Sequence, residues 1–330
     1  MSIQPDQEQP EAFAAARYIK VIGRGKDGAR SMSREDAQSL YAAMLDGRVS
    51  DLEMGAVLLA MRIKGESTEE IAGFMGAAEA HMLRLEPPQH SHYAPLLIPT
   101  YNGARKKANL TPLLALLLAR RGVPVLVHGV RHDAGRVTTA EIFEAMQQPL
   151  ALTAEAAQQQ MAQRQPAFLP IDVLSPAMAR LLATRRILGV RNSTHTLVKL
   201  AQPFAGPALR LCSYTHPEYF TMLQHYFGTL APPARGDAFL MRGTEGETVA
   251  STGRAQQIDW FHGGECTTLV HTHSSLLGDV PDTPDACDAA TTAQWILAVL
   301  AGEIAVPPNI ADQVEHCAIV AKMIRDRAVP

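Results

Sequence analysis

The chain of 330 residues has few cysteines, few aromatics, no long apolar run and no strong excess of one charge. Its four cysteines, Cys212, Cys266, Cys287 and Cys317, are too widely spaced for a CxxC pair or a zinc pattern. Reduced thiols in a cytoplasmic protein are therefore expected. The longest apolar runs, such as Leu113 to Leu118 and Ile296 to Ala301, fall far short of the about 20 residues that a membrane span needs. The N-terminus is polar and acidic and lacks the apolar stretch of a signal peptide. Thirty Lys and Arg stand against 33 Asp and Glu, a formal net charge of −3. Taken as an average, that argues against a generally basic nucleic-acid binder.

What is present suits a globular protein. The chain is 47% hydrophobic and 19% charged, enough apolar material for a core. Its length fits roughly two domains. Residues 1–12 read as a polar tail. From Phe13 to about Leu85 the pattern is helical. Ser33 caps one helix, with Asp36 at N3 and Ala37, Leu40, Tyr41 and Met44 at three-to-four spacing. Ser50 caps a second helix. Ser67 caps a third, whose face carries Ile71, Phe74, Met75 and Ala78. Pro87 to His92 reads as a linker.

Beyond it, Leu96–Tyr101 is a predicted strand, Leu110–Arg121 a helix, and Val123–Gly129 a second strand. That βαβ spacing predicts a parallel sheet with crossover helices. Further strands are expected at Ala167–Val173, Leu209–Cys212, Ala238–Met241 and Cys266–Val270. Helices are expected at Met178–Leu188, Pro217–Phe227, Asp285–Ala301 and Ile310–Asp326. The fold class is α/β: a small N-terminal all-α domain, then a larger α/β domain with a mostly parallel central sheet.

Several motifs resemble one enzyme family. Met44-Leu45-Asp46-Gly47, Ser50-Asp51 and Met61 through Gly73 are similar, in that order, to the N-terminal domain of anthranilate phosphoribosyltransferases. Val127-His128-Gly129-Val130-Arg131 resembles their second-strand motif, and Arg185 to Arg191 their helical insert. The resemblance runs from about residue 15 to residue 327. It implies a helical domain at 1–86, joined by an insert at about 174–200, and an α/β domain at 92–330, with a cleft between the two. It also implies a homodimer through the helical domain. Catalytic members bind phosphoribosyl pyrophosphate and magnesium in that cleft.

The chain departs from the family where phosphate chemistry is done. The family's GTGGDG loop reads Pro99-Thr100-Tyr101-Asn102-Gly103-Ala104-Arg105-Lys106-Lys107 here. Lost glycines remove the close backbone approach to phosphate. The family's metal-binding Asp-Glu pair aligns with Glu247-Thr248, with Glu245 nearby, so metal recruitment should weaken. The Lys-Ser-Gly-Ser stretch reads Arg136-Val137-Thr138-Thr139. Lys199 falls where the family has a cleft proline. Arg185 matches the arginine that meets the anthranilate carboxylate. This combination resembles the YbiB-type branch of the group, described as DNA-binding.

The charge distribution agrees with that branch. Thr100–Arg136 holds seven basic residues and one acid, and Met178–Arg210 holds six basic residues and no acid. Val270–Pro330 holds eight acids and three bases. The expectation is a groove binding single-stranded DNA or RNA backbone with little sequence preference. Its residues are Arg105, Lys106, Lys107, Arg131, Arg136, Arg185, Arg186 and Lys199, with Tyr101 and His195 stacking bases. No cofactor is expected on this reading, and no membrane.

The alternative is a phosphoribosyltransferase with an altered acceptor. There Arg185 and His128 would be catalytic, and Glu247 and Glu245 would hold magnesium. A non-catalytic sensor of small anions or nucleotides is a third reading. Ordinary roles compete at each position: Arg120-Arg121 can complement a helix dipole, and Arg180, Arg191 and Arg210 can be paired surface residues. His262, His271 and His273 complete no zinc spacing.

Overall fold

A computed structural model describes residues 11–272, 283–284 and 286–328. The chain forms two compact units. One runs to His81 and takes in Ala177–Leu197; the other comprises Met82–Pro176 and Val198–Pro330.

The helical unit starts with α1 (Ala16–Ile22), α2 (Gly25–Gly28), α3 (Arg34–Leu45), α4 (Asp51–Lys64) and α5 (Thr68–Ala80). Local chemistry sets the starts. Ser33 accepts the Asp36 amide at the head of α3. Ser67 forms a full capping box with Glu70 at the head of α5, satisfying two amides the helix cannot bond internally. The expected apolar faces are buried: Ala37, Leu40, Tyr41 and Met44 on α3, and Ile71, Phe74, Met75 and Ala78 on α5. The Tyr41 and Phe74 rings lie 5.1 Å apart. Each larger apolar side chain among them, such as Leu40, Ile71 or Phe74, contributes about 1.5–3 kcal/mol on burial.

In the α/β unit, β1 (Leu96–Thr100), α6 (Thr111–Arg120) and β2 (Val125–Gly129) form the expected βαβ start. Then come α7 (Thr139–Ala145), α8 (Ala154–Ala162), β3 (Ala167–Pro170) and α9 (Ile171–Leu174). The predicted strand to Val173 is thus cut short. Pro170 has no amide to continue a ladder, and the next residues coil into a helical turn.

The chain then crosses to the helical unit. Its insert comprises α10 (Pro176–Ala183), α11 (Arg185–Leu188) and α12 (Thr194–Leu197). The single helix expected at Met178–Leu188 is broken at Thr184, whose hydroxyl donates back to the Leu181 carbonyl. Tyr41 and Thr194 share a buried hydroxyl pair at 2.9 Å, and Arg180 donates to the Leu45 carbonyl at 2.8 Å.

Back in the α/β unit, β4 (Leu209–Tyr214), α13 (Pro217–His225), β5 (Ala238–Arg242), β6 (Ile258–His262) and β7 (Glu265–Val270) precede α14 (Ala289–Ala301) and α15 (Pro308–Ala328). The sheet order is β3-β2-β1-β4-β5-β6-β7. Pairs from β3 through β5 are parallel; β5–β6 and β6–β7 are antiparallel. β1 and β2 are buried along their whole length, as a sheet covered on both faces requires. The chain goes to one side of β1 for β2 and to the other for β4. Such a switch point leaves a crevice at the carboxyl ends of the strands. No described helix is long and apolar enough to cross a membrane.

Candidate functional site

The loop after β1 is where the sheet geometry puts ligand chemistry, and its backbone amides are already engaged. The Glu247 Oε1 atom accepts from the amides of Asn102 at 2.8 Å and Gly103 at 2.6 Å. The Glu245 carboxylate accepts from the amides of Arg105 at 2.6 Å and Lys106 at 3.0 Å. Both glutamates lie in the turn after β5. Glu245 has φ 52° and Gly246 φ 94°. A side chain on Gly246 would meet Asn102 Nδ2 at 2.2 Å, so glycine is required there.

The Gly246 carbonyl ties the edge together. It accepts from Asn102 Nδ2 at 2.7 Å, Ser213 Oγ at 2.9 Å and Lys199 Nζ at 3.4 Å. The loop after β1 also bridges to the segment after β2, through paired backbone bonds between Ala104 and Val137.

The predicted cations separate into two groups. Arg105, Lys106 and Lys107 are exposed, with no ion pair among the described residues. Arg185 and Arg186 of α11 in the helical unit are likewise exposed. The others are committed. Arg131 pairs with Asp172 at 3.3 Å, and Arg136 donates to the Gly103 carbonyl at 3.2 Å. Lys199 is half-buried on Gly246 rather than an open cation. Arg120 donates to the Leu300 carbonyl and Arg121 pairs with Glu315, both at the far end of α6 from this loop. Arg210 is buried, with its guanidinium over the Phe227 ring.

Tyr101 is not a stacking platform. It is buried, and its hydroxyl bonds His128 Nδ1 at 2.7 Å. Burial raises its pKa well above the ordinary value, with the Glu247 charge adding to the effect. His128 is equally closed to solvent, and burial pushes its pKa down to about 3. An imidazole so desolvated stays neutral and has no open path to a reacting group, so it is not placed as an acid or base. His195, in the helical unit, is half-buried and packs its Nδ1 against Asn192.

The magnesium reading does not fit these residues. Three of the four oxygens of Glu245 and Glu247 accept amides, and the fourth, Glu247 Oε2, is buried without a partner. No group of three His, Cys, Asp or Glu among the described residues can hold a metal. A magnesium ion demands near-octahedral oxygen ligation, and carboxylates bonded to amides do not supply it. His262 bonds Asp237 and Arg327, and His273 lies outside the described residues.

Sequence reasoning missed some participants. Arg242, which ends β5, and Arg254 in the following loop are exposed cations. Both fall outside the two basic segments, Thr100–Arg136 and Met178–Arg210. Asn102 and Ser213, which pin Gly246, carried no signal beyond their places after β1 and within β4. A polar recess of about 180 Å³ opens beside Lys106 and Lys107, with Ser251, Thr252 and Gly253 on its wall. It is smaller than the about 300–1,000 Å³ of typical small-molecule sites.

Comparison with known proteins places this architecture. Residues 16–82 match the model described as glycosyl transferase family, helical bundle domain, and residues 102–302 that described as glycosyl transferase family, a/b domain. The chain is 45% identical to the uncharacterized protein YbiB of Escherichia coli (strain K12), over 92% of this chain and 93% of that one. It is 28% identical to an anthranilate phosphoribosyltransferase of Methylobacterium radiotolerans, over 83% of this chain and 78% of that one. The fold is shared with the anthranilate phosphoribosyltransferase of Thermus thermophilus at TM-score 0.68, 23% identity and coverage of 94% and 90%. It is also shared with that of Saccharomyces cerevisiae in complex with PRPP and Mg, at TM-score 0.71, 15% identity and coverage of 94% and 88%. With its helical bundle and its α/β domain both matched, the chain belongs to the glycosyl transferase family.

Proposed function

We propose that this protein binds the backbone of single-stranded nucleic acid on a phosphoribosyltransferase-like fold, with little sequence preference. The observation that supports the reading most is the state of the loop after β1. Its side-chain cations Arg105, Lys106 and Lys107 are open, while its amides are taken by Glu245 and Glu247. A loop of this kind offers point charges to phosphates passing along the surface rather than a cradle for one engulfed pyrophosphate. Arg242 and Arg254 add charge around the same strand end, and Arg185 and Arg186 are exposed cations of the helical unit in their own right. The small recess beside Lys106 and Lys107 suits an extended strand better than an enclosed small molecule.

The homodimer is part of the same proposal. On α4, Leu52, Leu59 and Ile63 are exposed at 86%, 46% and 68%, an apolar stripe that water does not favour.

Fluorescence anisotropy with a labelled oligonucleotide, at several salt concentrations, tests the reading. Binding at low salt that weakens steeply with added salt supports it; no binding, or a flat response, refutes it. Pyrophosphate release from phosphoribosyl pyrophosphate with magnesium and candidate acceptors would establish the transferase instead.

A further inference from the structure

Two pairs of amides after β1, those of Asn102 and Gly103 and those of Arg105 and Lys106, each converge on one carboxylate at a switch point of the sheet. Such nests bind anions because successive N–H groups converge on one charge. In this chain two internal carboxylates meet them. Glu247 is 1% exposed and takes two amides on one oxygen. Glu245 takes two more, and it does so from a left-handed backbone conformation, φ 52°, that a residue with a Cβ rarely adopts. Strain of that kind persists only where surrounding contacts hold it. Here the two-residue turn Glu245-Gly246, closed by reciprocal backbone bonds between Thr244 and Glu247, holds it, and the amides of Arg105 and Lys106 fix the carboxylate.

We infer that Glu245 and Glu247 are internal anions that shut pyrophosphate out of this fold's loop after β1. An incoming pyrophosphate must displace carboxylates that already satisfy the donors, and it brings further negative charge beside them. Loss of glycines alone leaves the amides available; occupation by carboxylates removes them. The inference holds whether or not the exposed cations bind nucleic acid, because it concerns the backbone donors and not the side chains.

Glu245→Gly is the informative variant, because glycine adopts φ 52° without strain and the change frees the amides of Arg105 and Lys106. Inorganic pyrophosphate is titrated calorimetrically into the full chain, into Glu245→Gly, and into Glu265→Gln. The last removes one carboxylate from exposed β7 and controls for net charge. Hydrogen exchange of residues 101–107 is followed in parallel. Glu245→Gly is expected to bind at least tenfold more tightly than the other two, with new protection in that loop. Equal binding by all three chains, an equal gain in Glu265→Gln, or no gain in a Glu245→Gly chain that melts like the parent overturns the inference.

Discussion

Tyr101 Oη and His128 Nδ1 share a 2.7 Å hydrogen bond with both rings buried, while His128 Nε2 has no partner. The pair joins the end of β1 to β2 and fixes a neutral imidazole in the core. Its folded pKa, about 3, lies below the ordinary 6.5. Between these values the unfolded chain holds a proton that the folded chain does not. Stability from this group is therefore complete above about pH 6.5 and is lost as pH falls toward 3, at up to about 1.4 kcal/mol per pH unit. Urea unfolding at pH 7 and pH 5 checks this. His128→Gln, which keeps an acceptor for Tyr101, should flatten the profile.

Replacing Arg105, Lys106 and Lys107 together by alanine should weaken oligonucleotide binding about equally for all sequences. The slope of log affinity against log salt should fall by about 0.7 for each phosphate no longer neutralised. Lys199→Met should behave differently, because its ammonium holds the Gly246 carbonyl. It should lower the melting temperature and change the salt slope less. Anisotropy and thermal unfolding together separate the two effects.

Glu70 is fully buried and accepts from the amides of Met32 and Ser67 and from Lys64 Nζ at 2.7 Å. Glu70→Ala strands all three donors, one of them a nearly buried cation. The cost should be about 3–5 kcal/mol. Ser67→Ala removes only the capping hydroxyl and should cost about 1 kcal/mol. Denaturant titration of both variants checks the order.

Asp237 plays the matching part in the α/β unit. It takes Trp260 Nε1 at 2.8 Å, His262 Nδ1 at 3.1 Å and Arg327 Nη2 at 2.7 Å. Asp237→Ala should release the end of α15, seen as faster hydrogen exchange over residues 320–328, with several kcal/mol lost.

Leu59→Glu with Ile63→Glu should abolish self-association without unfolding the chain, since both side chains face solvent. Light scattering with circular dichroism checks this. A parent chain that is already monomeric at micromolar concentration refutes the dimer.

What could be read in advance followed the range of the interactions. Caps such as Ser33 and Ser67 act within three residues, and the apolar faces of α3 and α5 repeat within a turn, so both were legible. β6 was not: Asp259 breaks its apolar run, although Asp259 is buried and accepts Thr268 Oγ1 at 2.7 Å. The Gly263-Gly264 turn, with φ 56° and 89°, was the available hairpin signal. The site was hidden for another reason. Charge along a segment counts cations without their partners, and the partners are remote: Asp172 for Arg131, and Glu245 and Glu247 for amides over 130 residues earlier. The glutamates read as half of a metal site because their amide bonds exist only in the fold.

The 2.9 Å link between Tyr41 and Thr194 spans 153 positions of sequence. A ribosome delivers α3 and α5 long before the insert that completes their unit, and most of a second unit's first strands emerge in between. The N-terminal helices must therefore wait, with part of their apolar surface uncovered, until residue 197 has cleared the exit tunnel. A nascent chain stalled before α10 should therefore be cut by protease within α3 and α5 faster than one stalled after α12 has emerged.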